Sequence, residues 1–577
     1  MTRPGRWAAG VRVLGLVWLL PVLVAGCSTV PTSSAAVPIT QEPARPSDDV
    51  GFEPPGPEPG ATADEVVRGF IDASASRQGQ HPVAREYLAA DARKSWSDTT
   101  GITILGNYAV VPSGQGTVHV TAEVLGNVDA RGVLSSGQKL DYDFTLDKVD
   151  DQWRITNPAD GLLMLRDDFE RLYDERDLYF VDPSNQRVVP DPRYLISGDA
   201  QATALVDRLL DGPSAALASG VSNALAGAAL NSKVSVSTPS ITVDLRGIAG
   251  LPPPQLRLLC AQLVWTLAPL GAPAVQVLAD GEPLKLDRIP VAQTVDDWAT
   301  FNPNAAPADA VGYYLVDGAL RTVDGQPAPG SAGTGVYGLV SAAISADSQT
   351  GELDTMAAVG NGGRSLLVGA YGGDLAPVRY ATSLTAPTVA ATRSEFWTVA
   401  DGTDIVRVSV GSTPASVNAP GLAALGRATV LQLSPDGVRA ALVVDGGQGA
   451  HLYVGTVVRS GENGEVALRD LRPVAPSLVA IDVAWSAADE LTVLADGSEG
   501  GVVPYTLLVD GWDQTSVPTV GLPGEPNALA AAPGQQPLVS ATSPTSPSTV
   551  WQLAGGTWVT LLRGQDPLRG SEPFFPI

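Results

Sequence analysis

The sequence predicts a multi-domain chain: two α+β regions, then an all-β propeller of about six blades. Three observations carry this. At 577 residues the chain is long enough for several domains, and 44% hydrophobic against 17% charged residues excludes a disordered chain. With 61 Gly and 47 Pro it is rich in turns, which favours β architecture over long helices. Strand-rich segments recur around one kind of turn in the C-terminal half. A net charge of −25 excludes a simple nucleic-acid binder, which needs clustered Lys and Arg. Two Cys and three scattered His (His81, His119, His451) exclude a disulfide framework and leave little for a zinc or His-based catalytic site.

Arg3, Arg6 and Arg12 precede an apolar stretch, Val13 to Val24, too short to span a bilayer as a helix. With the small residues Ala25 and Gly26 it reads as a signal peptide over 1–26. Cys27 directly after the small pair makes the site resemble a bacterial lipoprotein lipobox. That resemblance implies S-diacylglycerol and N-acyl (palmitate-type) modification of Cys27 and attachment to the extracytoplasmic face of the cell membrane. More than one acyl chain anchors stably where a single chain does not. Cleavage removes three Arg and no acid, so the remaining surface is repelled by anionic headgroups and attachment rests on lipid. Residues 27–60, rich in Pro, Ser, Thr and Glu, read as a solvated tether.

Region one spans 61–163. Thr62 and Glu65 form a capping box before Val66, Val67, Phe70 and Ile71 at helical spacing. A second helical piece carries Val83, Tyr87 and Leu88 and ends near Trp96. Strands follow, with clear alternation of Leu140, Tyr142, Phe144 and Leu146 against Asp141, Asp143 and Asp147. Two helices before a curved antiparallel sheet resemble the cone-shaped NTF2-like fold. Such cones can hold a ligand or an active site, but no acid–His pair stands out, and His119 reads as a half-exposed sheet residue.

Region two spans 165–290, with predicted order β, α, β, β, α, β. A strand at Asp177–Val181 leads into a turn at Asp182–Asn185 and extended pieces at Arg187–Pro190 and Arg193–Ile196; further strands are Lys233–Val236, Ile241–Leu245 and Val275–Leu278. Its helices run from Ala200 to Leu210 and, with Leu256, Cys260, Leu263 and Leu267 on one stripe, through QLRLLCAQLVWTL. The pieces LYFVDPSNQRVVPDPR, ATALVDRLLDGP and VQVLADGEPL resemble a GerMN domain, an extracytoplasmic module that implies protein contacts and supplies no catalytic residue. Cys260 reads as a buried, inert thiol.

Region three spans 310–577. Turns at Ser345-Ala346-Asp347, Ser434-Pro435-Asp436-Gly437, Ser486-Ala487-Ala488-Asp489 and Ala532-Pro533-Gly534 recur at one or two multiples of about 45 residues, the length of a four-stranded blade. Pro presets φ, Asp caps the turn and Gly takes positive φ. Trp397, Trp485, Trp512, Trp551 and Trp558 are candidate core residues, and any left exposed would be contact anchors.

No zinc, nucleotide or nucleophile-elbow motif occurs. Ser136 to Lys139 matches a Ser-x-x-Lys pattern but lies in a loop entering a strand, where that chemistry needs a helix N-terminus. Gly330 to Gly335 is glycine-rich without opening a helix, so a phosphate cradle is not expected. Asp150-Asp151, Asp167-Asp168 and Asp296-Asp297 read as solvated acids without calcium-loop spacing. The expectation is therefore no catalytic residue, no metal site and no cofactor.

The order of lipobox, tether, NTF2-like region, GerMN-like region and propeller resembles the actinobacterial lipoprotein LpqB family over nearly the whole chain. The resemblance implies a non-enzymatic accessory of the MtrAB two-component system. Its partner would be the extracytoplasmic sensor domain of an MtrB-like histidine kinase, with effects on the cell envelope and division. Two alternatives stand beside it: a solute-sensing lipoprotein with a pocket in the NTF2-like cone, and a cell-wall-active propeller enzyme.

Overall fold

The capping box forms as expected. The Thr62 N–H donates to Glu65 Oε2 at 2.8 Å, and the helix runs Ala63–Ala73 with Val66, Val67, Phe70 and Ile71 buried. The computed structural model describes residues 54–577 except 308–309, 348–349, 461–463, 499, 545 and 563–565, so the expected signal peptide, Cys27 and most of the expected tether lie outside the described residues. Among the described residues no helix is long and apolar enough to cross a membrane.

The second helical piece of region one is split into Pro82–Glu86 and Ala90–Ser95. Between them the backbone turns extended and pairs with a strand: the Ile155 N–H donates to the Tyr87 carbonyl at 2.9 Å and the Ala89 N–H to the Ile155 carbonyl at 2.8 Å. The sheet runs in the order Gln152–Ile155, Leu140–Val149, Thr117–Asp129, Gly101–Gly114, Leu162–Leu165, its last strand parallel to its neighbour. Register shifts in the two long strands bend the sheet around the first helix. Phe70 fills the inside of the bend, edge-on to Trp96 at 5.3 Å and to Phe144 at 6.3 Å between centroids. The helix Arg166–Leu172 adds Phe169 and Leu172 to this core.

Region two opens with a hairpin, Tyr173–Val181 against Val188–Ile196, which is a sheet of its own. The predicted strand, turn and extended pieces are its two arms and its turn, although the predicted order β, α, β, β, α, β does not count the returning arm as a strand. Val188–Ile196 continues through Pro190 and Pro192, which a two-stranded ribbon tolerates because one edge of each strand is unpaired. Asp182 sets the turn: its carboxylate accepts the N–H groups of Ser184, Gln186 and Arg187 at 2.7–2.8 Å. The helix Gln201–Asp211 follows. Then Ser235–Ser237, Ser240–Arg246 and Ala274–Ala279 form the main sheet, the last two parallel and joined through the helix Pro253–Leu267. This helix is buried on more than its Leu stripe. Gln262 Nε2 donates to the Tyr179 carbonyl at 2.8 Å, and Thr266 Oγ1 accepts the Tyr179 N–H at 3.1 Å, which ties the helix to the hairpin.

Region three is a succession of sheets. Five are four-stranded and antiparallel, beginning at Ser341, Thr388, Arg427, Ala480 and Glu525. A three-stranded sheet joins Ala319–Thr322 and Tyr313–Val316 to the last strand of the chain, Ser571–Phe574. Consecutive sheets pack face to face: Trp397, Val399 and Ile405 of one meet Leu431, Leu433 and Leu442 of the next in a shared core. The first strand of each four-stranded sheet and the C-terminal strand line one central channel of about 260 Å³. This is a propeller-like arrangement. All four recurrent turns fall between the first and second strands of their sheets. The double-length gap before Ser434 is also explained: the sheet in between makes the same turn with Ala391-Thr392, which carries none of the Pro, Asp or Gly of the other turns.

Regions two and three meet without room to spare. A Cβ on Gly220 would lie 2.5 Å from Thr456 Cγ2 and 3.0 Å from Val438 Cγ1. Gly220→Ala should therefore push the two regions apart at a cost of about 1–3 kcal/mol, read as a lower denaturant midpoint. An unchanged midpoint would mean that the loop yields freely.

Candidate functional site

Three places gather polar or aromatic groups: the seam between the hairpin and region three, the aromatic contact with region one, and the channel. At the seam the Ser434–Gly437 turn is held by its own Asp. Asp436 Oδ1 accepts Ser434 Oγ–H at 2.5 Å and the Val438 N–H at 2.9 Å, and Gly437 takes φ +73°. The turn presents Arg439, whose guanidinium donates to the Pro190 carbonyl, and Val438, which joins the core of region two. Thr456 Oγ1 donates to the Ala216 carbonyl at 2.7 Å.

Trp512 is the one of the five tryptophans left half-buried. It acts as an anchor within the chain, edge-on to Phe169 at 5.5 Å and to Tyr194 at 6.2 Å, with the Arg166 guanidinium 5.4 Å over its ring. The sequence offered Trp512 as core or contact. Only the fold supplied its partner, hundreds of residues away.

The turn at Ser486–Asp489 brings Asp489 against Glu175 and Asp177 of the hairpin, with carboxylate oxygens within 4.8 Å of one another. Three carboxylates at this range can share protons or a hard cation. Burial, then the charges of Asp510, Asp489 and Asp513, push Glu175 up to about 7 against the pull of Arg176. Asp177 is raised well above its usual range by burial, then by Asp489 and Glu175, with Arg439 opposing. The folded state thus keeps protons that the unfolded chain releases near its ordinary carboxylate values. The stabilisation is complete below about 4 and is lost as pH rises through about 7. Thermal midpoints should fall between pH 5 and pH 8, and Glu175→Gln with Asp177→Asn should flatten that fall and raise the midpoint at pH 8. Some slope should remain, because burial also pushes Asp482 in the channel up to about 7. A double variant with the unaltered slope would contradict the assignment.

The acidic side chains lining the channel among the described residues are Asp482 and Glu572. Asp482 accepts the Val483 N–H at 2.9 Å and the Leu529 N–H of the next sheet at 2.8 Å, so it staples neighbouring sheets. Glu572 sits at φ +50° and is raised by burial. The rest of the wall is mostly Ala, Val, Leu, Ile, Pro and aromatic groups, with the polar side chains of Ser341, Thr388, Thr429, Gln432 and Asn527.

The remaining candidates occupy structural positions. His119 lies half-exposed on a strand paired on both edges, its Nδ1 2.8 Å from Asp143 and Nε2 3.7 Å from Asp141. His451 Nδ1 is 3.2 Å from the Leu478 carbonyl, and His81 Nδ1 is 2.8 Å from Asp98. Cys260 is fully buried, and burial pushes its thiol up to about 12. Ser136 ends a strand and Lys139 is exposed in the following loop. Gly330–Gly335 encloses a short 3-10 turn, where a Cβ on Gly330 would strike the Gly372 carbonyl at 2.2 Å; these glycines serve close backbone packing. Asp150-Asp151 forms a tight turn with positive φ at both residues, Asp167-Asp168 opens a helix, and Asp297 caps Thr294. Cys27 lies outside the described residues.

Fold and seam together define a multi-domain protein with a Germane-type middle domain and a propeller-like C-terminal domain. Residues 318–576 match the family described as Lipoprotein LpqB beta-propeller domain, residues 56–170 that described as Lipoprotein LpqB, N-terminal domain, and residues 177–285 the Germane family, described as Sporulation and spore germination. Lipoprotein LpqB of Rhodococcus jostii is 34% identical over 562 residues, covering 90% of this chain and 91% of the relative. Lipoprotein LpqB of Mycobacterium tuberculosis is 30% identical over 565 residues, covering 90% and 92%. The chain belongs to the LpqB lipoprotein family, a family of membrane-anchored proteins.

Proposed function

We propose that the chain is a non-enzymatic docking protein, held at the extracytoplasmic face of the cell membrane through acylated Cys27. Its partner is the sensor domain of an MtrB-like histidine kinase, whose signalling it modulates, with effects on envelope and division. Region one is read as an NTF2-like cone and region three as a six-bladed propeller closed by its C-terminal strand. The observation that carries the reading is the buried seam: Arg439, Thr456, Val438 and Trp512 lock the three regions together, so they present one stiff surface on a tether. Such a surface biases a kinase by binding one of its states better. A ~10-fold shift needs only about 1.4 kcal/mol of differential affinity. The packed interior around Phe70 speaks against a solute pocket in the cone, and the Asp482 staple assigns a structural task to one of the two channel carboxyls.

The test uses the full chain in detergent with the purified kinase sensor domain, alongside Cys27→Ser in cells. Saturable capture of the sensor domain, and loss of Cys27→Ser from the membrane fraction, are expected. Absence of capture would overturn the partner assignment, and Cys27→Ser remaining with lipid would overturn the anchor.

A further inference from the structure

All three regions also meet around a cavity of about 380 Å³, within the usual size range of small-molecule sites. Region one contributes the short strand Leu134–Ser136, region two the turn at Ser214–Leu217, and region three Arg439, Thr456 and Arg472. Arg439 is 3% exposed. Its Nη1 is buried without a hydrogen-bond partner and lies 3.9 Å from Asp436 Oδ2. Arg472, two strands away in the same sheet, has no salt-bridge partner among the described residues; burial and the charge of Arg439 act against it, and Asp510, Asp191 and Asp470 act on it only at longer range.

The acids on the same wall are already supplied with donors. Asp191 takes Arg193 Nη2 at 2.9 Å and the Ser214 N–H at 2.7 Å. Asp510 takes the Trp512 N–H at 3.0 Å and the Tyr194 hydroxyl at 3.1 Å. Asp129 Oδ1 takes the N–H groups of Arg131 and Val133 at 2.8 and 2.9 Å. Unspent donor capacity in the cavity therefore belongs to the two guanidinium groups, and a partly buried guanidinium pair suits an oxygen anion.

We propose that this junction cavity binds a small oxyanion, a phosphoryl or carboxylate group, between Arg439 and Arg472. An occupant would touch all three regions and stabilise their mutual docking by mass action. The site stands independently of the kinase reading, since it needs only the junction.

The test is calorimetric titration of the full chain in detergent with sodium phosphate, and separately with sodium acetate, against sodium chloride at matched ionic strength. One saturable site per chain is expected for at least one of the two anions, and the preferred anion tells a phosphoryl from a carboxylate ligand. Arg472→Gln should weaken it at least ~10-fold. Ala215→Phe, which narrows the cavity without changing charge, should weaken it too and keeps the test open if the Arg variant misfolds. Heats that fail to saturate with both anions, or affinity unchanged in both variants, would overturn the site.

Discussion

Removing residues 571–577 should unfold the C-terminal half of the chain. Ser571–Phe574 is the innermost strand of the first sheet, pairing Phe574 with Tyr313 and Ser571 with Leu315. Phe574 stacks on Tyr313 at 5.6 Å, and the terminal Ile577 is tied to the next sheet by hydrogen bonds to Ala346 and Ile344. Without these residues the ring has an open edge, an apolar groove against the sheet beginning at Glu525, and two exposed strand backbones. A closed ring of sheets transmits that loss to every face-to-face core. The expected result is aggregation or protease sensitivity throughout 310–570, with loss of the cooperative melt. A truncated chain that melts like the intact one would show that closure contributes little.

Arg439→Ala should be the most damaging single side-chain change at the seam. Asp436 and Arg439 are both almost wholly buried, and burial already raises Asp436 against the opposing pull of Arg439. Deleting the guanidinium leaves that carboxyl without its counter-charge and the Pro190 carbonyl without its donor. Removing one member of a buried pair costs about 3–5 kcal/mol. Denaturant unfolding should show an early transition in which regions two and three separate, visible as new cleavage within residues 182–222. Arg439→Met combined with Asp436→Asn should recover part of the loss, because neither partner is then a stranded charge. If the single and the double variant lose equally, the pair is not the cause.

Much of this was legible from local pattern. The capping box at Thr62, the alternation from Leu140 to Leu146, the Leu stripe with Cys260 and the turns rich in Ser, Pro, Asp and Gly each follow from chemistry within a few residues. That is why their positions could be read without a fold. The turn at Asp182–Asn185 and the extended pieces around Pro190 and Pro192 were legible too, but not that they form one continuous paired strand, since proline argues against a strand unless the unpaired edge is known. The break at Tyr87–Ala89 was hidden for the same kind of reason: its cause is Ile155, far along the chain. The turn at Ala391-Thr392 carries no signal at all and is recognised only by its place in the ring.

The sequence by itself determined the succession of regions and the repeated turns, because hydrophobic period and turn chemistry act over short stretches. Tertiary structure alone decided what those turns are for. Arg439 meets Pro190, Asp489 meets Glu175 and Trp512 meets Phe169 across long loops, and no local pattern encodes which surfaces a packed ring and a hairpin bring into contact.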